Sequence, residues 1–253
     1  MTGKIHIGVG GWTYEPWRGV FYPADLTQKR ELEFASRALT SIEINGTYYS
    51  TFKPDSWRKW RDETPDGFRF SVKASRYCTN RKVLAEGGES IERFIGQGLT
   101  ELGDKLGPIN WQFMATKKFD PEDFGAFLAL LPKAHDGVRL RHAVEVRSAT
   151  FATPAFYELA RRHGVAICYA MDDEGENGTS KVPVIDEATA DFRYARLMSS
   201  REDLETGVTN EELGAYAEQV QGWAKGGDVF AYFIAGAKVR NPAAAMALIE
   251  RVA

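Results

Sequence analysis

Glu43 and Asn45 stand two residues apart in the stretch SIEINGT. Along an extended strand they share one face, opposite Ile42 and Ile44. A carboxylate and an amide together near the end of an apolar strand point to a polar pocket. Other apolar stretches end in the same way. FRFSVK closes on Lys73, INWQFM carries Gln112, HAVEVR carries Glu145 and Arg147 two apart, VAICYAMD runs into Asp172, and FRYARL carries Arg196. A lone buried charge is strongly unfavourable, so a buried carboxylate needs partners. The acids Glu43, Glu145 and Asp172 match the bases Lys73, Arg147 and Arg196, and the six are expected to pair around one cavity. Two carboxylates in different surroundings suit general acid and base work, which makes Glu43 and Glu145 the expected catalytic pair. Lys73, Arg147 and Arg196 suit holding an anion or stabilising developing charge. A lysine among cations also suits Schiff-base chemistry if its pKa is depressed, which adds Lys73 to the catalytic candidates.

Such a set converges only if the strands that carry it are arranged around one axis. Strand signals fall at residues 5–9, 41–45, 68–73, 109–114, 142–147, 165–171, 192–197 and 228–234, each short and rich in β-branched or aromatic residues. Helix signals lie between most of them. Thr153-Pro154 opens one that Gly164 closes, Asp120-Pro121 opens another, Thr209 and Glu212 form a capping box, and Asn241-Pro242 starts the last. Weaker helical patterns lie at 26–39, 54–61 and 90–105. The sixth connection, DDEGENGTSKVPVIDEATAD, has no helical period and is expected to be a loop. Eight strands alternating with helices over 253 residues predict a single-domain (β/α)8 TIM barrel spanning 1–253. In that fold, functional groups project from the C-terminal strand ends and the loops after them. An open doubly wound sheet is the runner-up; GVGGW at 8–12 lacks the third glycine of a dinucleotide fingerprint and runs into a long aromatic loop.

The loops add two further layers. Those after strands three, four and eight hold Arg76, Arg81, Lys82, Lys117, Lys118, Lys238 and Arg240 and no acidic residue. On a barrel all seven would share the face of the pocket, as a rim that draws a phosphorylated metabolite or a nucleic-acid backbone. The loop after strand six opposes them with Asp172, Asp173, Glu174 and Glu176, an acidic run suited to a divalent cation or simply to solvent. The first two loops are aromatic, with Trp12, Tyr14, Trp17, Phe21 and Tyr22, then Tyr48, Tyr49 and Phe52. Most are expected to pack the long first loop over the barrel. Trp12 and Tyr14, nearest a strand end, are the ligand candidates.

Composition narrows the classes. Apolar residues are 43%, charged residues 26% and net charge is −3, which suits a globular domain and counts against a global nucleic-acid footprint. No apolar run approaches the roughly 20 residues of a membrane span. The N-terminus enters a strand directly with no signal-peptide h-region. Cys78 and Cys168 are isolated, as free thiols in a reducing cytoplasm would be. His6, His135, His142 and His163 are scattered, so no zinc or multi-metal hydrolase site is expected, and no GxSxG elbow or P-loop occurs. No metal and no cofactor are predicted, and oligomeric state is not legible.

GGWTYEPWRGVFYP, SIEINGTYY, FRFSVKAS, the Gln112 strand, AVEVR and DFRYARL resemble, in order, the motifs of the YecE-like family across almost the whole chain. The resemblance implies a single TIM barrel, a bacterial or archaeal cytoplasmic protein and no established activity. It implies a polar set of Trp12, Tyr14, Glu43, Asn45, Thr47, Tyr49, Lys73, Gln112, Glu145, Arg147 and Arg196. Three positions depart from the family pattern. Phe113-Met114-Ala115 replaces Leu-Pro-Pro, Met198 replaces a histidine, and Ile234-Ala235-Gly236 replaces Asn-Asn-Asp. These departures imply a ligand that differs within the family and, if the family histidine is catalytic, the loss of that step. The expected function is an enzyme of hydrolase, lyase or isomerase type acting on a small anionic or sugar-like substrate. The alternatives are a nucleic-acid binding or processing protein that uses the basic loops and mouth aromatics, and a non-catalytic ligand sensor.

Overall fold

The computed structural model of the chain describes residues 2–172 and 182–253. Among them, eight parallel strands close into a barrel in chain order. They are β1 (Ile5–Gly10), β2 (Ser41–Ile44), β3 (Arg69–Lys73), β4 (Leu106–Gln112), β5 (His142–Glu145), β6 (Ala166–Asp172), β7 (Phe192–Met198) and β8 (Asp228–Phe233), which pairs back onto β1. Helices occupy the connections: α1 (Glu31–Ala38), α2 (Pro54–Glu63), a single turn α3 (Arg76–Thr79), α4 (Gly88–Ile95), α5 (Pro121–Ala129), α6 (Pro154–His163), α7 (Asn210–Ala224) and α8 (Asn241–Val252). The fold is the (β/α)8 barrel that the alternation predicts. In the sixth connection, residues 182–191 are irregular. Asp173, Glu174 and Glu176 of the acidic run lie outside the described residues.

Local chemistry accounts for the helix ends. The Asp120 carboxylate accepts from the amides of Glu122 and Asp123 at 3.0 and 3.1 Å, ahead of Pro121 in the first turn of α5. Thr209 and Glu212 close the capping box of α7. Residues 90–105 carry one weak helical pattern, yet α4 stops at Ile95 and a 3-10 segment follows over Leu99–Lys105. Gly98 lies between them at φ 106, a left-handed conformation that no α-helix continues through. Strand β4 starts at Leu106, ahead of the expected residue 109, and its register against β3 slips between Phe70/Leu106 and Val72/Ile109. The extra residue falls beside Pro108, which has no amide hydrogen to give the ladder. A short hairpin of Ala134–His135 and Val138–Arg139 was not expected. Its signal is the Asp136-Gly137 pair, both at positive φ.

Two apolar bodies position the site. One lies between the strands and the helices; the other fills the barrel itself with Phe192, Tyr194, Phe230 and Tyr232 among Ala143, Ala166, Cys168 and Ala170. Small residues on β5 and β6 make room for rings from β7 and β8. Gly8 makes room for backbone instead: a Cβ there would fall 1.7 Å from the carbonyl oxygen of Ser41. The Tyr232 hydroxyl crosses the interior to Ser41 Oγ at 2.7 Å and Ser71 Oγ at 2.6 Å. Below it, Phe230 is stacked by His6 at 4.8 Å and covered by the Arg141 guanidinium at 4.7 Å. Each buried ring contributes on the order of 2 kcal/mol. The barrel is therefore plugged at its base and middle; its N-terminal end carries the Arg141–Asp228 ion pair and its C-terminal end a layer of buried charges.

Candidate active site

The strand register stacks the charged residues directly above this plug. Gln112 aligns with Glu145, Arg196 aligns with Ala170 and with Tyr232, and Glu43 aligns with Ser71 and Gly10. Small neighbours leave the long side chains of Arg196, Glu43 and Glu145 free to meet on the axis. Arg196 bridges the two carboxylates, giving Nη1 to Glu145 Oε2 at 2.7 Å and Nη2 to Glu43 Oε1 at 3.2 Å. Both glutamates are fully buried and Arg196 is 3% exposed. Glu145 also accepts at Oε1 from Gln112 Nε2 at 2.6 Å and from Arg147 Nε and Nη2 at 3.0 and 2.9 Å. Arg147 lies just beyond β5 with its side chain one-third exposed, so it joins the buried pair to the mouth.

Two side chains complete the network that the sequence reading passed over. The Tyr194 hydroxyl donates to Glu43 Oε2. Asn110 Nδ2 reaches Glu145 Oε2 at 3.2 Å and Glu43 Oε2 at 3.4 Å. Each sits two residues before a predicted site residue, Arg196 and Gln112, hence on the same inward face. Alternation marked them, but attention to strand ends alone did not reach that deep.

Electrostatics separates the groups. Burial alone would raise the Glu145 carboxyl, but Arg196, Arg147, Gln112 and Lys73 outweigh it and hold it down at about 2. The Lys73 amine moves the other way. Burial, then the Arg196 charge, pulls it down to about 8 against the opposing pull of Glu43 and Glu145. Its Nζ lies 4.3 Å from the centre of the Tyr48 ring, and among the described residues it makes no hydrogen bond or ion pair. Arg196 Nε and Asn110 Oδ1 are likewise buried without a protein partner.

The remaining predicted residues spread outward from this centre. Asp172 ends β6, half-buried and in register with Met198, which packs into the inner apolar body. Asn45 leans over Gly10 with its Oδ1 buried and unpartnered. Thr47 is buried and its hydroxyl donates to the carbonyls of Ile44 and Lys73 at 3.1 and 2.6 Å, tying the second loop to β3. Tyr49 is 67% exposed and sits edge-on to Tyr48. Trp12 packs edge-to-face on Trp60 at 5.2 Å and, with Asn45, Phe52, Trp60 and Lys238, lines a cleft of about 360 Å³ beside the mouth. Tyr14 lies under the Lys238 ammonium at 4.1 Å.

The rim cations divide. Lys117 is paired with Asp123 at 2.7 Å. Arg81 gives its guanidinium to the carbonyls of Tyr77 and Glu86 and to Ser90. Arg240 donates to the Glu202 carbonyl at 3.1 Å. Arg76 stacks over Tyr49 and Tyr77, and Lys82 and Lys118 are exposed. Among the described residues no three His, Cys, Asp or Glu side chains are grouped to hold a metal ion, and no helix is long and apolar enough to cross a membrane.

Comparison with known proteins agrees with this architecture. A family model described as "Protein of unknown function DUF72" matches residues 6–253. The UPF0759 protein YecE of Escherichia coli (strain K12) is 28% identical over 142 residues, which are 54% of this chain and 48% of that protein. The UPF0759 protein YunF of Bacillus subtilis (strain 168) is 25% identical over 192 residues, 73% of this chain and 66% of that one. The chain thus spans about half to two thirds of the length of these curated relatives. The crystal structure of a DUF72 family protein (TM1631) from Thermotoga maritima MSB8 superposes with a TM-score of 0.76 at 23% identity, over 97% of each chain. That likeness extends to the fold.

Proposed function

We propose, from the premise that the chain belongs to the DUF72 family, that it is an enzyme acting on a small anionic or sugar-like substrate in the cup above the barrel plug, with Lys73 as its proton-transfer group. The unpaired Lys73 amine beside a fully buried carboxylate pair is the observation that carries this reading. A polar network kept only for stability satisfies its members. This one leaves Lys73 Nζ without a hydrogen bond or ion pair among the described residues, and Arg196 Nε and Asn110 Oδ1 buried without partners. An amine with a pKa of about 8 both takes and gives a proton near neutrality. Glu145, held ionised, is a fixed negative group that anchors Arg147 and Arg196. Arg147, reaching from the buried pair to solvent, suits holding the charged end of a substrate.

In this reading Lys73, with Glu43 beside it, takes the acid and base role that the sequence assigned to the two glutamates. Its test is a turnover screen of sugar acids, sugar phosphates and hydroxy acids, repeated on Lys73→Met with the substrate found. Turnover is expected to fall by about a hundredfold or more. Undiminished turnover in that variant would overturn the reading, and binding with no turnover across the screen would favour a sensor instead. A nucleic-acid role has less support, because Arg81, Lys117 and Arg240 are engaged within the protein. The buried free thiols of Cys78 and Cys168 support a reducing, cytoplasmic setting.

A further inference from the structure

Between the loops that follow β3 and β4 lies a cleft of about 460 Å³ that the reading above does not use. Arg81, Lys82, Lys117 and Lys118 line it, together with Thr79 and Asn80, and no carboxylate does. Its walls are fixed. Lys117 Nζ donates to the Lys82 carbonyl at 2.8 Å and to Asp123 Oδ2 at 2.7 Å, while Asp123 Oδ1 accepts from the amides of Leu84 and Ala85 at 2.7 and 3.0 Å. These bonds lock the two loops together, and all three bonding nitrogens of Arg81 are held by protein acceptors. Lys82 and Lys118 remain: both are exposed, and neither has an ion-pair partner among the described residues. Thr79 is 2% exposed and its hydroxyl has no partner. One hydrogen bond links the wall of the cleft to the cup. Asn80 Nδ2 donates to the Tyr48 hydroxyl at 3.2 Å, and the Tyr48 ring carries the Lys73 ammonium on its face.

We propose that this cleft is a phosphate subsite, and that the substrate of the cup is a phosphorylated polyol or sugar whose phosphate lies between Lys82 and Lys118 while its reacting end lies at Lys73. The assignment of the substrate rests on the reading of Lys73 above; the subsite does not. A phosphate monoester is close to dianionic at neutral pH and accepts through three oxygens. Two free ammonium groups answer that demand, and the Arg81 guanidinium, whose acceptors are all neutral, raises the local potential without needing to move.

The subsite is tested with inorganic phosphate, followed by the backbone amide resonances of residues 79–82 and 116–118 in the full chain. Saturable shifts confined to those loops are expected. The double variant Lys82→Ala/Lys118→Ala is expected to weaken binding about tenfold, the sum of two exposed charge contacts, and Lys73→Met to leave it unchanged. Non-saturating shifts, or undiminished affinity in the double variant, would overturn the subsite while leaving the Lys73 reading intact. Glycerol 3-phosphate then tests the link to the cup. It is expected to bind more tightly than inorganic phosphate and to shift the amides of residues 47–49 and 73 as well. Equal affinities with those amides unmoved would show an independent anion site and overturn the substrate assignment.

Discussion

Lys73 is a buried amine whose charge state changes near neutral pH, and two measurable consequences belong to it. If it acts as the base, the rate for the cup's substrate rises with pH along a limb centred near 8. Removing its neighbour's charge with Arg196→Met relieves a repulsion on the ammonium and moves that limb upward, which a pH–rate profile checks. The same substitution leaves Glu43 and Glu145 buried without their shared cation, and it is expected to destabilise the fold by about 3–5 kcal/mol in urea unfolding. Much at this scale was readable in advance. A lone carboxylate in the middle of SIEI demands a cation, and the alternation in FRYARL supplies one on the correct face. Asn110 and Tyr194 were harder to find, because an asparagine or tyrosine inside an apolar strand has several ordinary explanations. Only the distances to Glu43 and Glu145 select among them.

At the scale of elements, turn and cap chemistry decided what could be read. Thr209 caps α7 through Glu212, and Thr209→Ala is expected to lower stability by about 1 kcal/mol, measured by thermal melting. Gly8→Ala pushes a methyl group into the Ser41 carbonyl, so β1 and β2 separate near the barrel axis and the variant is expected to fold poorly, read as loss of soluble yield. Caps such as Asp120, Thr153 and Thr209 are short-range signals, and they located α5, α6 and α7 from sequence. The β4 boundary was not legible in the same way. Gly107 and Pro108 read as breakers, yet the closed barrel holds them in the ladder at a bulge, where tertiary pairing overrides local preference. The Asp136-Gly137 hairpin was legible and was passed over, since its two-residue strands carry no alternation.

For the molecule as a whole, buried titratable groups set the response to acid. Burial holds His6 and His142 at about 4, below the usual 6.5, so the unfolded chain takes up protons first as pH falls. The stability that depends on their neutrality is complete above pH 6.5 and is lost as pH falls toward 4. Glu145, depressed from 4.5 to about 2, contributes a second loss between those values, of about 3 kcal/mol. Denaturant midpoints measured from pH 7 to pH 2 are therefore expected to drop in two stages, and Glu145→Gln is expected to shrink the lower one, to which Asp123, Glu212 and Asp228 also contribute. The packed aromatic plug beneath the charged layer has one more consequence. With Tyr232 stapled across to Ser41 and Ser71 and Phe230 sealed under Arg141, the cavity is blind-ended, and there is no back exit through the axis. If the cup turns over a substrate as proposed, substrate and product share its C-terminal end, and product that lingers there is expected to compete with the next arrival, which initial rates measured with added product check.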